Sequence, residues 1–382
     1  MSHTKSIFLT LAVITAGFLG YRAWDVNRGK DSTMAPETRR EVRGVTSSAA
    51  ASGDALAPAF SAFSEDPSAD DAKSTLRELR QSLAAMPKDE AVALIRGFLD
   101  GGRDHSTGLS FEISMDGSLT EWPTFRSFLL DSLLAIDPAA AAAISREILA
   151  RPTTADEWAL ALRNVARGEP LDHNRDFLRE KTEELIANPE WQAAPSVGYL
   201  NAFDVLVHIE ATGSTPLLSE LVQRKDRKDL AHAGFLTLDR LVQLQPSDVL
   251  ARLADDRALQ ASRPEMVAQQ FARADVRDPV QREIVKSWLL DPERTPVEMR
   301  SFAGVYPNNN RFVSNNLLTR EPGQTGGELA EHDREALVTL SNWAGDPEFQ
   351  PVRDTIDRIV QRLQGFVSIR SNESPVDPSA PP

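Results

Sequence analysis

The sequence predicts an all-α fold, an irregular two-helix-repeat solenoid with one inserted β-hairpin and an N-terminal transmembrane or signal segment. Three observations predict it. Across residues 74–365 apolar side chains recur at three- and four-residue spacing, in blocks of ten to eighteen residues, which is the period of amphipathic helices. Pro, Gly or Asp-Pro stands between the blocks, where a missing amide hydrogen or a freer backbone stops a helix. Finally, residues 109–119 break the period and alternate instead. Short helices that cannot bury their apolar faces alone must stack, and such stacks usually bind other macromolecules.

The first 24 residues set the expected compartment. Residues 7–21 (IFLTLAVITAGFLGY) are uncharged and follow Lys5. Continued to Trp24, the run gives roughly 27 Å of helix, enough to span a bilayer core, with Tyr21 and Trp24 at the interface. No small-x-small cleavage site follows it directly, which favours an uncleaved anchor over a signal peptide. Arg22, Arg28 and Lys30 on the far side lean toward a cytoplasmic body, whereas a short basic tail before an apolar run is the layout of an export signal. The body is expected to be extracytoplasmic, on the periplasmic side of an envelope membrane, and secreted if the segment is cleaved. Residues 25–72, rich in Ser, Ala, Asp and Pro, read as a disordered tether. Residues 73–370 form the helical domain, with the hairpin near 107–120. Residues 371–382 contain four prolines and read as a disordered tail.

Within the domain each stripe names a helix. Leu76, Leu79, Leu83 and Met86 form one face, stopped by Pro87. Ala91, Leu94, Ile95 and Phe98 form the next, stopped by Gly101-Gly102. Phe125, Phe128, Leu129 and Leu133 follow, then Ile144 and Ile148 after Asp137-Pro138. Trp158, Ala161, Leu162 and Val165 make a stripe opened by Thr154, with Glu157 placed to complete a capping box. Later faces carry Phe177, Leu178, Leu185 and Ile186, then Leu200, Phe203 and Val207, then Leu217, Leu218, Leu221 and Val222. Phe235, Leu238 and Val242 come next, then Val280, Ile284 and Trp288, and finally Val352, Ile356, Ile359 and Leu363.

Pro-containing breaks recur at Asp137-Pro138, Asn188-Pro189, Gln245-Pro246, Asp291-Pro292 and Asp346-Pro347. The spacing is too uneven for a strict 34-residue tetratricopeptide array and suits a degenerate two-helix unit with variable loops. In this pattern the chain resembles the HEAT-like family of α-solenoids over residues 74–365. The resemblance implies a curved helical stack with a protein-binding role and carries no catalytic residues over.

Two stretches depart from the helical pattern. Leu109, Phe111 and Ile113 alternate with Ser110, Glu112 and Ser114, and Asp116-Gly117 supplies a two-residue turn before Leu119. That is a hairpin signal. The hairpin is either a cap on the stack or a recognition flap, and Asp104, His105 and Thr107 at its base are candidate partner contacts. Residues 306–316 (YPNNNRFVSNN) carry many hydrogen-bonding groups. They read most simply as two turns flanking a short helix, with Asn309 and Arg311 as further candidate contacts.

Composition excludes more chemistry than it suggests. There are no cysteines, so disulfides, thiolate catalysis and sulfur-based zinc sites are out. Net charge is −14, and the first 45 residues hold seven Lys or Arg against four Asp or Glu, which leaves the remainder at −17. Such a body repels phosphate backbones, so nucleic acid is a poor partner. Its one dense basic stretch, residues 224–228, reads as a solvated loop. None of the six histidines forms HExxH. His208 with Glu210 lies about 200° apart on a helix and lacks the cysteine pair of a deaminase site. Asp172-His173 and His332-Asp333 read as helix starts. Residues 323–327 are glycine-rich without the Lys-Ser/Thr of a P-loop and read as a loop. No GxSxG or SxxK occurs, and the carboxylates read as surface charge. No cofactor, metal site or small-molecule ligand is identified.

The function expected from this pattern is a membrane-tethered extracytoplasmic scaffold that binds another protein, one with basic character. Its contacts would be apolar and its rim acidic. Two alternatives stand beside it, a helical-fold hydrolase acting on an envelope polymer and a purely structural envelope protein. A deep polar pocket of clustered ionisable groups, in place of an open groove, would count against the scaffold.

Overall fold

The computed structural model describes residues 56–63, 67–312, 314–320 and 325–372, the last six as backbone only. The expected membrane segment (1–24), most of the expected tether and the tail beyond Asn372 lie outside the described residues. The chain is mostly α, 73% helix, with one two-strand antiparallel hairpin. Among the described residues no helix is long and apolar enough to cross a membrane.

Helix α1 (Ala57–Ala62) lies within the stretch that reads as tether. It is held because its apolar side chains have a partner surface: Leu56 and Phe63 are buried, and the Phe60 ring meets Phe98 at 5.0 Å and Phe125 at 5.5 Å. Helix α2 (Ala69–Ala85) starts at Ser68, whose hydroxyl accepts from the Asp71 amide, and buries Leu76, Leu79 and Leu83. Helix α3 (Lys88–Asp100) buries Ala91, Leu94, Ile95 and Phe98 and stops at Gly101. Strands β1 (Glu112–Ile113) and β2 (Leu119–Glu121) follow. Helix α4 (Phe125–Ile136) opens on a Thr124/Ser127 capping box, and α5 (Pro138–Ile148) on Asp137, which accepts from two amides.

Helix α6 (Ala155–Gly168) is central, buried along almost its whole length. Then come α7 (Leu171–Ala187), α8 (Pro189–Ala193), α9 (Val197–Ala202), α10 (Asp204–His208) and α11 (Thr215–Val222). They are followed by α12 (Lys228–Leu244), α13 (Pro246–Asp255), α14 (Arg257–Ser262), α15 (Pro264–Phe271) and α16 (Pro279–Leu290). The last are α17 (Pro296–Val305), α18 (Gly326–Gly345) and α19 (Arg353–Asn372). Helices pack chiefly on near neighbours in the chain, as α5 on α6, α11 on α12 and α18 on α19. The breaks read from sequence serve as helix starts: Pro138, Pro189 and Pro246 each stand first in their helix, where a missing amide hydrogen costs nothing.

Several details differ from the pattern reading. Thr154 caps α6 by accepting from the Glu157 amide, but Glu157 does not reach back. Its carboxylate instead takes the Arg126 guanidinium at 2.7 and 3.1 Å, and a buried ion pair outweighs a capping bond. In α16 Val280 is 58% exposed, and Gln281, Val285, Trp288 and Leu289 face inward, so the stripe is rotated by one residue. The stripe through Leu200, Phe203 and Val207 is split into α9 and α10 at Phe203. Helices α13–α15 and α17 are not among the stripes read from sequence: α14 is under two turns long, whereas α13 does carry a stripe, burying Val249, Leu250 and Leu253. In α18 the inward face carries His332 and Asp333 beside Ala336 and Leu340, which hides its amphipathicity. The glycine-rich stretch is partly helix start, since Gly326 and Gly327 follow the Thr325/Glu328 capping box.

The hairpin is present but its turn is longer than two residues. Ile113 pairs with Leu119, and the Ser114 amide donates to Ser118 O at 2.9 Å, so residues 114–118 close the loop. Asp116 folds it internally, accepting from the Ser118 amide at 2.9 Å. Gly117 has φ +78°, and a Cβ there would collide with Arg167 Nη2 and Leu317 O. Gly117→Ala is therefore expected to destabilise the protein by more than about 1 kcal/mol, seen as a lower urea midpoint. An unchanged midpoint would mean that the hairpin tip does not pack as described.

Candidate functional site

Charged side chains lie inside this fold, contrary to the expectation that carboxylates sit on its surface. Asp131 is the centre of one group. It accepts from Arg163 at 2.7 Å, Arg80 at 2.6 Å, Trp122 Nε1 at 2.9 Å and the Leu119 amide at 3.3 Å. Burial pushes its carboxyl up, but Arg163, Arg80 and Trp122 more than offset this and hold it below the ordinary carboxylate range. Arg163 is completely buried. Asp204 pairs with Arg240 at 2.7 Å, and Asp239 with Arg273 at 2.7 and 3.0 Å, all four nearly enclosed. The sequence held one signal of this: Asp131 in FLLDSLL, Arg163 in LALRNVA and Asp204 in NAFDVLV are lone charges within apolar runs.

Among its described residues the Asn-rich stretch contains no helix. The expected turns and short helix are replaced by irregular chain gripped by distant elements, because its polar groups find partners there. The Asn308 amide donates to Ala272 O at 2.7 Å, and Arg273 donates to Asn308 O at 3.2 Å. The Phe312 ring stands edge-on to Phe235 at 5.8 Å. Asn315 Nδ2 donates to Ile113 O at 2.9 Å, on the hairpin. Arg167 Nη2 joins hairpin and segment, donating to Asp116 O at 2.7 Å and Leu317 O at 2.8 Å. The Leu318 and Thr319 amides donate to Asp204 Oδ2 at 2.7 and 3.0 Å, and the Thr319 hydroxyl donates to Asp204 Oδ1 and accepts from Arg240. The two irregular elements of the sequence thus meet in space.

A polar cleft of about 470 Å³ opens at the other end of this stretch, lined by Gln243, Arg273, Asp275, Arg277, Asn309, Arg311, Glu328 and His332 among others. Asn309 Nδ2 donates to Asp333 at 3.4 Å, which turns its Oδ1 to His332 Nδ1 at 3.0 Å. An amide oxygen only accepts, so Nδ1 carries the imidazole proton. Nε2 is left buried, without a hydrogen-bond partner, 3.7 Å from Asp275 Oδ1. Asp275 is already held by Arg277 at 2.6 to 2.9 Å. Burial pushes the His332 imidazole below its ordinary 6.5, partly offset by Asp275. His208 and His232 are lowered by burial as well.

These three imidazoles fix a pH dependence. A histidine whose folded pKa is depressed binds its proton more readily when unfolded. Stability is therefore full above 6.5 and falls as pH drops below it. Burial raises Asp104 and Asp156, which opposes the loss as pH falls through their raised folded values toward the ordinary carboxylate value. The urea midpoint is expected to fall between about pH 7.5 and 5.5, and a flat or rising midpoint would contradict neutral buried imidazoles.

Of the candidate contacts, Asn309 and Arg311 come together in the cleft. Asp104, His105 and Thr107 lie apart from it and bind their own surroundings. Asp104 accepts from the Arg126 and His105 amides at 3.0 and 2.9 Å. The His105 ring packs on Phe60 at 4.5 Å. Thr107 is buried, donating its amide to Pro123 O at 3.0 Å and its hydroxyl to Trp122 O. His332, read as a helix start, sits in the second turn of α18 and belongs to the cleft. Residues 224–227 of the basic stretch form a loop and Lys228 opens α12, with Arg224 on Asp226 and Arg227 on Asp229. Among the described residues no group of three His, Asp or Glu could hold a metal ion. No protein-family model, curated protein or solved structure matches this chain. The structure and the comparisons together establish a mostly helical protein of many packed helices, with no family or repeat identified.

Proposed function

We propose that this chain is a helical scaffold that binds another protein, tethered to a membrane by its N-terminal segment with the body on the extracytoplasmic side. One observation carries the binding role: ionised side chains on helices α6 and α10 grip the main chain of an irregular segment more than a hundred residues away in sequence. A framework that holds extended chain by its peptide groups has the chemistry to hold extended chain in general. Solenoid-like stacking of two-helix units would suit that role. The apolar N-terminal run supports the tether.

The His332–Asp275 cleft favours the hydrolase as a second reading, because clustered ionisable groups in a polar pocket are where chemistry is sought. Weighing against it, Asp275 is saturated by Arg277, Arg273 is engaged by Asp239, and no serine hydroxyl or second carboxylate is bonded to His332 Nε2.

The two readings separate by crosslinking full-length protein in native membranes at about 50 and 500 mM salt and mapping the crosslinked peptides by mass spectrometry. A stoichiometric partner lost at high salt, crosslinked to the body, is expected. No partner at either salt would sink the scaffold, and turnover abolished by His332→Gln without loss of folding would establish the hydrolase.

A further inference from the structure

We infer that the polar cleft between α12, α18 and the loop before α16 binds a small zwitterion, an α-amino acid, with its ammonium group on the floor and its carboxylate toward the mouth. The inference is separate from the protein-binding role proposed above and calls for no turnover.

Two residues that line the cleft, His332 and Gln243, each carry an acceptor that no donor in the protein serves. His332 spends its proton on Asn309 Oδ1 at 3.0 Å, so Nε2 is a lone pair, and it is buried without a partner. Gln243 gives its amide nitrogen to Asp239 at 2.9 Å. A carboxylate only accepts, so the Gln243 oxygen is the end left over, and it too is buried without a partner. Neither group can turn to help itself. Reversing Gln243 would set its oxygen against Asp239, and turning the His332 ring would forfeit the bond to Asn309. Buried polar groups are nearly always served, and two on separate elements of one cleft call for a group that brings hydrogens. Charge decides which group. The ionised side chains felt at His332 are Asp275, with Oδ1 3.7 Å from Nε2, Asp333 and Arg277, two carboxylates to one guanidinium. A cationic donor suits that field better than a neutral hydroxyl, and an anion has no hydrogen to give.

The outer part of the cleft has the opposite character. Arg277 holds Asp275 through Nε and Nη2, which leaves Nη1, and its side chain is 46% exposed. Beside it Gln281 takes the Asp275 amide on its oxygen at 2.8 Å, which leaves its NH2 as a donor. Arg311 lines the same cleft. Donors and positive charge together are the counterpart of a carboxylate. Arg273 and Glu328, also on the lining, are spent on Asp239 and on the Thr325 cap. A ligand with an ammonium at one end and a carboxylate at the other meets both parts. The cleft's volume of about 470 Å³ falls within the roughly 300–1,000 Å³ of small-molecule sites, and its apolar members, Val242, Pro246 and Leu329, offer a wall to a side chain.

The probes are the twenty proteinogenic L-amino acids, each titrated into the full chain at up to about 10 mM and read by isothermal titration calorimetry. At least one is expected to bind with a Kd below about 1 mM. Its decarboxylated amine and its deaminated acid should each bind at least about tenfold more weakly, because each leaves one part of the cleft unserved. His332→Phe removes the acceptor and keeps a ring, and it should weaken the amino acid at least about tenfold. Arg311→Ala should weaken it at least about threefold. Melting curves establish that each variant is folded. No binding by any of the twenty overturns the inference and leaves enclosed water to serve His332 and Gln243. An amine that binds as tightly as its parent overturns it too, as does an amino acid whose affinity neither folded variant alters. If His332→Phe does not fold, Arg311→Ala decides alone, and unchanged affinity in that variant overturns the inference.

Discussion

Asp131→Ala is expected to lower folding stability by roughly 3–5 kcal/mol. The carboxylate neutralises Arg163, which is completely buried, and it also accepts from Arg80, Trp122 and the Leu119 amide. Removing it leaves a buried guanidinium without its counter-charge and frees the end of the hairpin at once. Urea denaturation measures the loss. The double variant Asp131→Leu with Arg163→Met removes both buried charges and is expected to be more stable than Asp131→Ala alone. If the double variant is no more stable, the cost comes from the contacts to Arg80, Trp122 and the hairpin that both variants lose, and the unpaired Arg163 charge is not its source. The same carboxyl adds an acid dependence. Its folded pKa is depressed, so its contribution is full above the ordinary carboxylate value and is lost as pH falls through the folded one.

Asp204→Ala is expected to cost about 3 kcal/mol and to act mainly on the segment that crosses α6, α10 and α12. Four donors converge on this carboxylate: Arg240, the Leu318 and Thr319 amides, and the Thr319 hydroxyl. Hydrogen exchange is the discriminating measurement. The Leu318 and Thr319 amides should exchange faster by at least about tenfold relative to amides in the middle of α6, because local release precedes global unfolding. Uniform acceleration across the chain would mean that Asp204 supports the helices at large and does not hold the segment in particular. Asp204→Asn keeps the shape and one acceptor oxygen, and it should fall between wild type and Asp204→Ala in both measurements.

The two predictions concern residues that a helical pattern does not single out, and the reason is instructive. A period of three to four reports which positions face inward and takes those positions to be apolar. Asp131, Arg163, Asp204 and Asp239 face inward and are charged, so each reads from sequence as a minor interruption of an apolar run. Only their partners explain them, and those partners stand from about 30 to more than 100 residues away. The candidate contacts divide on the same ground. Asn309 and Arg311 were flagged for hydrogen-bonding capacity and do line the cleft, whereas Asp104, His105 and Thr107 serve the base of the hairpin. His332 and Asp275 carried no local signal, because the cleft forms only where α18 meets the loop before α16.

The sequence by itself determined the class of fold, most of the helices, their starts and stops, and the place of the hairpin. Those features depend on interactions within a few residues: a 3.6-residue period, a side-chain cap, a proline at the first turn. Tertiary structure decided which charges are buried, how far the hairpin turn extends, that the Asn-rich stretch is gripped chain with no helix of its own, and where the cleft opens. Each of these depends on groups distant in the chain, whose pairing in a water-poor interior is strong enough to override the local preference.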